Sequence, residues 1–200
     1  MTHLKFCGLT RHEDAHLGAE LGAWALGVVL WPGSPRGITA TQAAGVLAGV
    51  PGRIERVGVF VRPTLDEVAQ AVDTAELTVV QLHDVDDVEP FFLLGRPLVQ
   101  AGRLEDGEVR PVAHHDATLL LDAHDPARHG GTGRTIDWTA AADVCATRRV
   151  LLAGGLTPEN VAAAIAVARP WGVDVASGVE AAPGIKDHDR MRRFADAVRT

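Results

Sequence analysis

The sequence predicts an α/β fold, and within that class a (β/α)8 barrel, from three observations. Eight short β-rich runs alternate with segments whose apolar residues recur every three or four positions. The predicted strands are continuous apolar runs, which is typical of parallel strands that are covered on both faces. Glycine-rich segments follow the last three strands, where a parallel barrel places its functional loops. An open doubly wound sheet is the alternative architecture.

The predicted elements follow one another in barrel order along almost the whole chain. Strands are predicted at residues 3–7, 25–30, 56–61, 78–82, 96–101, 117–122, 150–153 and 173–176. Helices are predicted at residues 13–21, 40–48, 65–72, 158–168 and 188–198. Thr10, Thr64 and Thr157 each precede a helical segment and are predicted to cap it.

The middle of the chain departs from this regular order. Only a short helix around residues 88–94 fits between the fourth and fifth strands, and residues 103–116 contain no amphipathic helix. We therefore predict a barrel whose fourth and fifth helical connections are shortened, which agrees with a length of 200 residues at the lower limit of this fold. All of residues 1–200 are expected to form one domain.

The composition excludes several classes of partner. A net charge of −7 and a pI of about 5.7 leave no basic face for nucleic acid or for an anionic membrane surface. No segment resembles a signal peptide or a membrane span, so a cytoplasmic protein is expected. Cys7 and Cys145 are too far apart for a zinc motif or a disulfide framework. Only two of the nineteen Lys and Arg residues are lysines, which we attribute to overall composition.

Cys7 and Asp122 stand at strand ends, where a parallel barrel carries its chemistry. Cys7 closes the first predicted strand and is followed by the turn residue Gly8. A lone cysteine is more often a small buried hydrophobic residue, so position alone does not decide its role. Asp122 follows three leucines at the end of a buried strand, where a carboxylate is costly without a function or a partner. Asp125 is the competing acidic residue.

Three glycine-rich segments predict a phosphate site. Glycines let backbone N–H groups approach an anion, and the loops after the seventh and eighth strands commonly bind phosphate in this fold. The predicted phosphate-binding residues are Gly131, Gly133, Gly154, Gly155, Ser177 and Gly178. We therefore expect a small phosphorylated substrate.

Several separated motifs are shared, in order, with one enzyme family. They are KFCGLT at 5–10, SPR at 34–36, VGVFV at 57–61, QLH at 81–83, LLD at 120–122, GGTGRTIDW at 130–138, AGGL at 153–156, DVASGVE at 174–180 and GIKD at 184–187. No single motif is diagnostic, but together they cover almost the full chain, and the sequence resembles the phosphoribosylanthranilate isomerases of tryptophan biosynthesis. The resemblance implies a (β/α)8 barrel that needs neither a metal nor a cofactor.

The resemblance also implies a reaction and a set of roles. Enzymes of this family convert N-(5-phospho-β-D-ribosyl)anthranilate into 1-(2-carboxyphenylamino)-1-deoxy-D-ribulose 5-phosphate by an Amadori rearrangement, an intramolecular aldose–ketose isomerisation. By resemblance, Cys7 is the general base and Asp122, in its protonated form, the general acid. Arg36 binds the anthranilate carboxylate, which suits a guanidinium fork. Gln81 and Asp174 are expected to contact the substrate as well.

Two residues depart from the family pattern. Asp84 follows His83 where the family usually has glycine, and Arg62 stands where asparagine is common. Neither departure involves the predicted acid, the base or the phosphate-binding glycines.

Other interpretations of the chain stay open. It resembles less closely a histidine-pathway or dual-substrate aminoaldose isomerase, because no glycine-rich phosphate loop follows the third or fourth strand. A barrel that binds a phosphosugar without turning it over is a second alternative. A redox-sensing Cys7 partnered by Cys145 is a third. A monomer or a homodimer is expected.

Overall fold

In a computed structural model that describes residues 2–105, 108–110, 113–122 and 137–200, eight parallel strands close into a barrel. The strands in chain order are β1 (His3–Phe6), β2 (Ala25–Val29), β3 (Glu55–Val61), β4 (Val79–His83), β5 (Leu98–Glu105), β6 (Glu108–Arg110), β7 (Thr118–Asp122), β8 (Val150–Leu152) and β9 (Gly172–Val175). All except β6 belong to the barrel, and the β4–β5 and β1–β9 pairings complete the circle. The predicted (β/α)8 barrel is confirmed.

Helices cover the outside of the barrel in the connections between the strands. They are α1 (His12–Glu20), α2 (Ala40–Leu47), α3 (Leu65–Ala75), α4 (Trp138–Cys145), α5 (Val161–Ala168) and α6 (His188–Arg199). Each helix that the periodicity predicts is present, with its ends shifted by a few residues. Thr64 caps α3 as predicted: its hydroxyl accepts from the N–H of Glu67, whose carboxylate accepts from the N–H of Thr64.

The predictions for Thr10 and Thr157 as helix caps are wrong in position. The Thr10 hydroxyl donates to the carbonyl of Gly184, 174 residues away along the chain, and does not cap α1. Asn160 is the residue that precedes α5. Thr157 stands one turn earlier, where its hydroxyl accepts from the N–H of Glu159. Thr10 therefore makes a long-range contact instead of capping α1, and Thr157 lies in a turn that precedes α5.

Alternate residues of β1 face different environments. Leu4 and Phe6 pack outward against the helices, and the Phe6 ring lies 6.4 Å from that of Phe194 in α6. Lys5 and Cys7 have the opposite parity and point into the barrel. The apolar core inside the barrel is small and consists of Cys7, Ala25, Val57, Val59, Val79, Val99, Leu120, Leu151 and Ala153. The barrel therefore leaves room near β1 for polar groups.

The fourth and fifth connections are shortened, as predicted. A 3-10 helix, Glu89–Leu94, joins β4 to β5, and β5 continues into an antiparallel hairpin with β6. In the described residues between β6 and β7 there is no helix. A second hairpin, formed by β10 (Glu180–Ala182) and β11 (Ile185–Lys186), follows β9 and was not predicted. None of the helices in the described ranges has the length and apolarity needed to cross a membrane.

Candidate active site

A cavity of about 220 Å³ opens at the carboxyl ends of the barrel strands. The predicted site residues that line it are Cys7, Arg36, Gln81, Asp122, Gly154, Gly155, Asp174, Ser177 and Gly178. Gly131 and Gly133, and the competing Asp125, lie outside the described residues. The structure therefore brings together every predicted site residue that it describes.

Cys7 lies beside a buried ion pair. Lys5 Nζ is 2.9 Å from Asp174 Oδ1, and the Lys5 side chain is completely buried. The register of β1 and β9 places these two residues opposite each other. Burial by itself lowers the pKa of Lys5, but the charge of Asp174, that of Cys7 in its thiolate form and hydrogen bonding to both groups together outweigh burial, so the pKa of Lys5 is raised. Lys5 is therefore a permanent cation next to the thiol.

Burial disfavours the charged form of the Cys7 thiol. Burial is the largest influence and raises the pKa of Cys7. Lys5 opposes this rise through its charge and a hydrogen bond, Asp174 adds to it, and Lys186 opposes it weakly. The net result is a raised pKa for the Cys7 thiol, so any role as a base depends on the cations that favour the thiolate.

A second cluster of charged residues, Arg36 with the buried Glu180 and Lys186, lies at the edge of the cavity and is called the Arg36 cluster below. Arg36 Nε and Nη2 donate to the two carboxylate oxygens of Glu180 at 2.8 and 2.6 Å. Lys186 Nζ donates to Glu180 Oε1 at 2.9 Å and to the carbonyl of Ala176 at 2.9 Å.

The Arg36 cluster contains more cationic than anionic groups. Burial by itself raises the pKa of Glu180, but Arg36 and Lys186 together outweigh it, so the pKa of Glu180 is lowered. Burial lowers the pKa of Lys186, and the charge of Glu180 opposes this. With Lys186 protonated, two cations face one carboxylate. The cluster then suits one further anionic group from a ligand.

Two glycine turns line another part of the cavity and are called the glycine cradle below. Gly154 and Gly155, with φ of 79° and 65°, make the turn after β8, and Ser177 and Gly178 make the turn after β9. The turns meet where a Cβ at Gly178 would lie 1.8 Å from the carbonyl oxygen of Leu156. Only glycine permits this approach, and glycine turns of this kind can present backbone N–H groups to an anion.

Asp122, Gln81 and His83 line further walls of the cavity. Asp122 closes β7, which is separated from β1 by β8 and β9. Gln81 Nε2 and His83 Nε2 are 2.8 Å apart. Among the described residues, Gln81 Oε1 is a buried oxygen without a hydrogen-bond partner. Because such an oxygen is costly to bury, a ligand N–H or O–H fits there.

Sequence reasoning missed four charged residues of this region. Glu180 and Lys186 lie within the shared motifs at 174–180 and 184–187, and Lys186 is one of only two lysines in the chain. That scarcity was the available signal. Arg103 and Arg110 reach the cavity because β5 and β6 form a hairpin in which they are cross-strand partners. The dipeptide Asp-Gly at 106–107 is a typical hairpin signal and could have predicted it.

Comparison with known proteins gives one consistent family. The family model described as N-(5'phosphoribosyl)anthranilate (PRA) isomerase matches residues 4–197. The N-(5'-phosphoribosyl)anthranilate isomerase of Pelobacter propionicus is 44% identical over 198 residues, which are 97% of this chain and 94% of that protein. The one from Geobacter sulfurreducens is 43% identical over 196 residues, which are 97% of each chain.

Solved structures give the same result. The structure of phosphoribosyl anthranilate isomerase from Thermotoga maritima superposes with a TM-score of 0.91 at 36% identity and covers 100% of this chain and 99% of that chain. An isomerase in complex with reduced 1-(o-carboxyphenylamino)-1-deoxyribulose 5-phosphate superposes with a TM-score of 0.87 at 34% identity, again over 100% and 99% of the two chains. Because the likeness extends over nearly the full length in sequence and in fold, the chain belongs to the N-(5'-phosphoribosyl)anthranilate isomerase family.

Proposed function

We infer that this chain catalyses the Amadori rearrangement of N-(5-phospho-β-D-ribosyl)anthranilate to 1-(2-carboxyphenylamino)-1-deoxy-D-ribulose 5-phosphate in tryptophan biosynthesis. One observation carries this inference: Cys7, Asp122, Arg36 and the glycine cradle surround one cavity in a chain that matches the family over residues 4–197. The reaction moves protons and electron pairs within a single substrate, so general acid–base groups are sufficient for it.

The two anionic ends of the substrate have separate partners in the cavity. The phosphate fits the backbone N–H groups of the glycine cradle. The carboxylate fits the Arg36 cluster, where Glu180 already fixes the guanidinium plane and the extra positive charge attracts an anion. With both ends held, the ribose spans the cavity between Cys7 and Asp122, and orientation by two fixed ends favours reaction.

The acid and the base act at different atoms of the ribose. Protonated Asp122 donates its proton to the furanose ring oxygen, the C1′–O bond breaks, and a Schiff base forms with the anilino nitrogen. The Cys7 thiolate then removes the proton from C2′, and the electron pair of that C–H bond gives an enolamine. Tautomerisation of the enolamine yields the ketone. Because Cys7 and Asp122 lie on separate strands, each proton transfer has its own group.

Gln81 and Asp174 complete the contacts with the substrate. Gln81 Oε1 accepts a hydrogen bond from a sugar hydroxyl or from the anilino N–H, which gives this buried oxygen a partner. Asp174 is fixed through Oδ1 by Lys5 and faces the cavity near the reacting carbons. The chain acts as a monomer or a homodimer in the cytoplasm; a relative from Thermotoga maritima is described as a dimeric isomerase from which monomers were generated.

Complementation of a tryptophan auxotroph that lacks this isomerase tests the proposal. We expect growth with the wild-type chain and with Cys145→Ala, which changes the other thiol, and no growth with Cys7→Ala or Asp122→Ala. Purified variants with unchanged circular dichroism should lose at least about a hundredfold in kcat, as expected when a general acid or base is removed. Equal growth with all four chains would sink the assignment of roles. Rescue of a histidine auxotroph, with none of the tryptophan auxotroph, would favour the aminoaldose isomerase of histidine biosynthesis.

A further inference from the structure

The only two lysines of the chain both form buried ion pairs and both act on the same thiol through their charge. Nineteen residues are Lys or Arg, and only Lys5 and Lys186 are lysines. Both are buried, with 0% and 3% of their surface exposed. Each is paired with a carboxylate at 2.9 Å, Lys5 with Asp174 and Lys186 with Glu180. A chain that otherwise uses arginine therefore places lysine where a compact buried ammonium is needed.

Lys5 and Cys7 approach each other in the space left by Gly27 of β2. A Cβ at Gly27 would lie 3.0 Å from Cys7 Sγ and 3.3 Å from Lys5 Nζ. An ammonium group has three N–H donors, and Asp174 Oδ1 accepts only one of them. Two N–H donors of Lys5 therefore remain for other partners, and Cys7 Sγ borders the same space at Gly27.

Charged groups act on Cys7 from several elements. Lys5 on β1 exerts the largest charge effect, followed by Asp174 on β9 and Lys186 on β11, and Arg36 acts from the loop after β2. The remaining charged or titratable side chains that line the cavity are His83, Asp84, Arg103, Arg110 and Asp122.

We propose that Lys5 is a positioning residue that holds the Cys7 thiolate through a hydrogen bond and its positive charge, and that Gly27 keeps the space for this contact. Lys186 supports the thiolate with a smaller effect. This role of Lys5 rests on the proposed function in one respect, that Cys7 is the base. The proposed contact does not require turnover of substrate, so it can be tested without activity.

The first test titrates Cys7 through the ultraviolet absorbance of its thiolate, in a Cys145→Ala background that leaves one thiol. Removing Lys5 alone would leave Asp174 unpaired and would alter the titration by itself. The informative pair is therefore Asp174→Asn against Lys5→Met/Asp174→Asn. We expect the pKa of Cys7 to be about one unit or more higher in the double variant, because the nearby cation is lost. The surface change Arg192→Met serves as control and should leave the titration unchanged.

The second test preserves every charge. In Gly27→Ala, the added methyl group would lie 3.0 Å from the sulfur and 3.3 Å from the ammonium nitrogen, so we expect the ends of both side chains to move apart. We expect a raised pKa of Cys7 in this variant as well, and a shift of the acidic limb of kcat/KM to higher pH by the same amount. A Cys7 pKa that is the same with and without Lys5 overturns the proposal; if the double variant does not fold, Gly27→Ala decides by the same criterion. A raised pKa with an unmoved kcat/KM profile supports the contact and instead contradicts the role of Cys7 as base.

Discussion

Arg36 lines the cavity while two parallel hydrogen bonds to Glu180, at 2.8 and 2.6 Å, fix its guanidinium plane. Arg36→Lys keeps the positive charge but loses this fork, so the substrate carboxylate meets a mobile point charge. We expect KM to rise about tenfold, which corresponds to about 1.4 kcal/mol, with a much smaller change in kcat because this contact is made before and during the reaction alike.

Steady-state kinetics beside Arg192→Lys check this expectation. Arg192 is exposed on α6, 3.2 Å from Asp189, and its conservative replacement should leave both constants unchanged. A fall in kcat with an unchanged KM for Arg36→Lys would contradict a binding role and place Arg36 in the chemical step.

Sequence alone could predict that Cys7, Asp122 and Arg36 line one cavity, because a strand end and a short motif are local properties of a chain. It could not predict that Glu180 holds Arg36, since 144 residues separate the two and a buried ion pair leaves no local pattern. The direction of the Cys7 pKa also needed the structure. Burial by groups distant in sequence sets it, and burial outweighs the lysine two residues away.

The glycine cradle depends on the close approach of the turns after β8 and β9. In Gly178→Ala the new Cβ would lie 1.8 Å from the carbonyl oxygen of Leu156, so one turn must move. We expect a loss of about 2 kcal/mol or more in the free energy of unfolding, and weaker competitive inhibition by inorganic phosphate. Urea unfolding and inhibition kinetics measure the two effects.

A matched glycine in α2 gives the opposite expectation. No atom lies within 4 Å of a Cβ at Gly45, so Gly45→Ala should stabilise the protein by about 0.5–1 kcal/mol and leave phosphate inhibition unchanged. If Gly178→Ala and Gly45→Ala changed stability and phosphate inhibition alike, the close approach of the two turns would not be the reason for glycine at position 178.

Periodicity predicts the strands and helices well, because each barrel element carries its own apolar pattern. Apolar patterns do not predict the backbone conformation of the positions directly after β3 and β4. Arg62 and Asp84 have φ of 47° and 53°, the left-handed region that asparagine and glycine adopt readily. Asparagine and glycine, which are common in the family at these two positions, suit this backbone conformation. This chain adopts the same conformation with Arg62 and Asp84, which suit it less well. Asp84 also accepts from Arg103 at 2.9 Å.

The two ends of the chain meet next to the site. Asp14 in α1 is fully buried and accepts from Arg11 at 2.7 Å, from the backbone N–H of Lys186 at 3.2 Å and from His188 Nε2 at 2.8 Å. The first helix thereby fixes the hairpin that carries Glu180 and Lys186. Because the barrel closes through contacts between its first and last elements, the Arg36 cluster depends on the folding of the whole chain.

Stability at alkaline pH should depend on thiols that the fold keeps protonated. Burial raises the pKa of Cys145 from 9.0 to about 11, so between these values the native state retains a proton that the unfolded chain has lost. Stability therefore falls as pH rises through this window, and Cys145→Ala removes that part of the fall.

We expect the free energy of unfolding of Cys145→Ala to gain on that of the wild type between about pH 8 and about pH 11. The gain stays well below the limit of about 2.7 kcal/mol set by the two pKa values, since Cys145 is only partly buried and water screens it. Urea unfolding of both chains across this range measures the difference, in which the contributions of Cys7, Lys5 and Lys186 cancel. A difference that does not change with pH would mean that Cys145 titrates alike in the folded and unfolded chains.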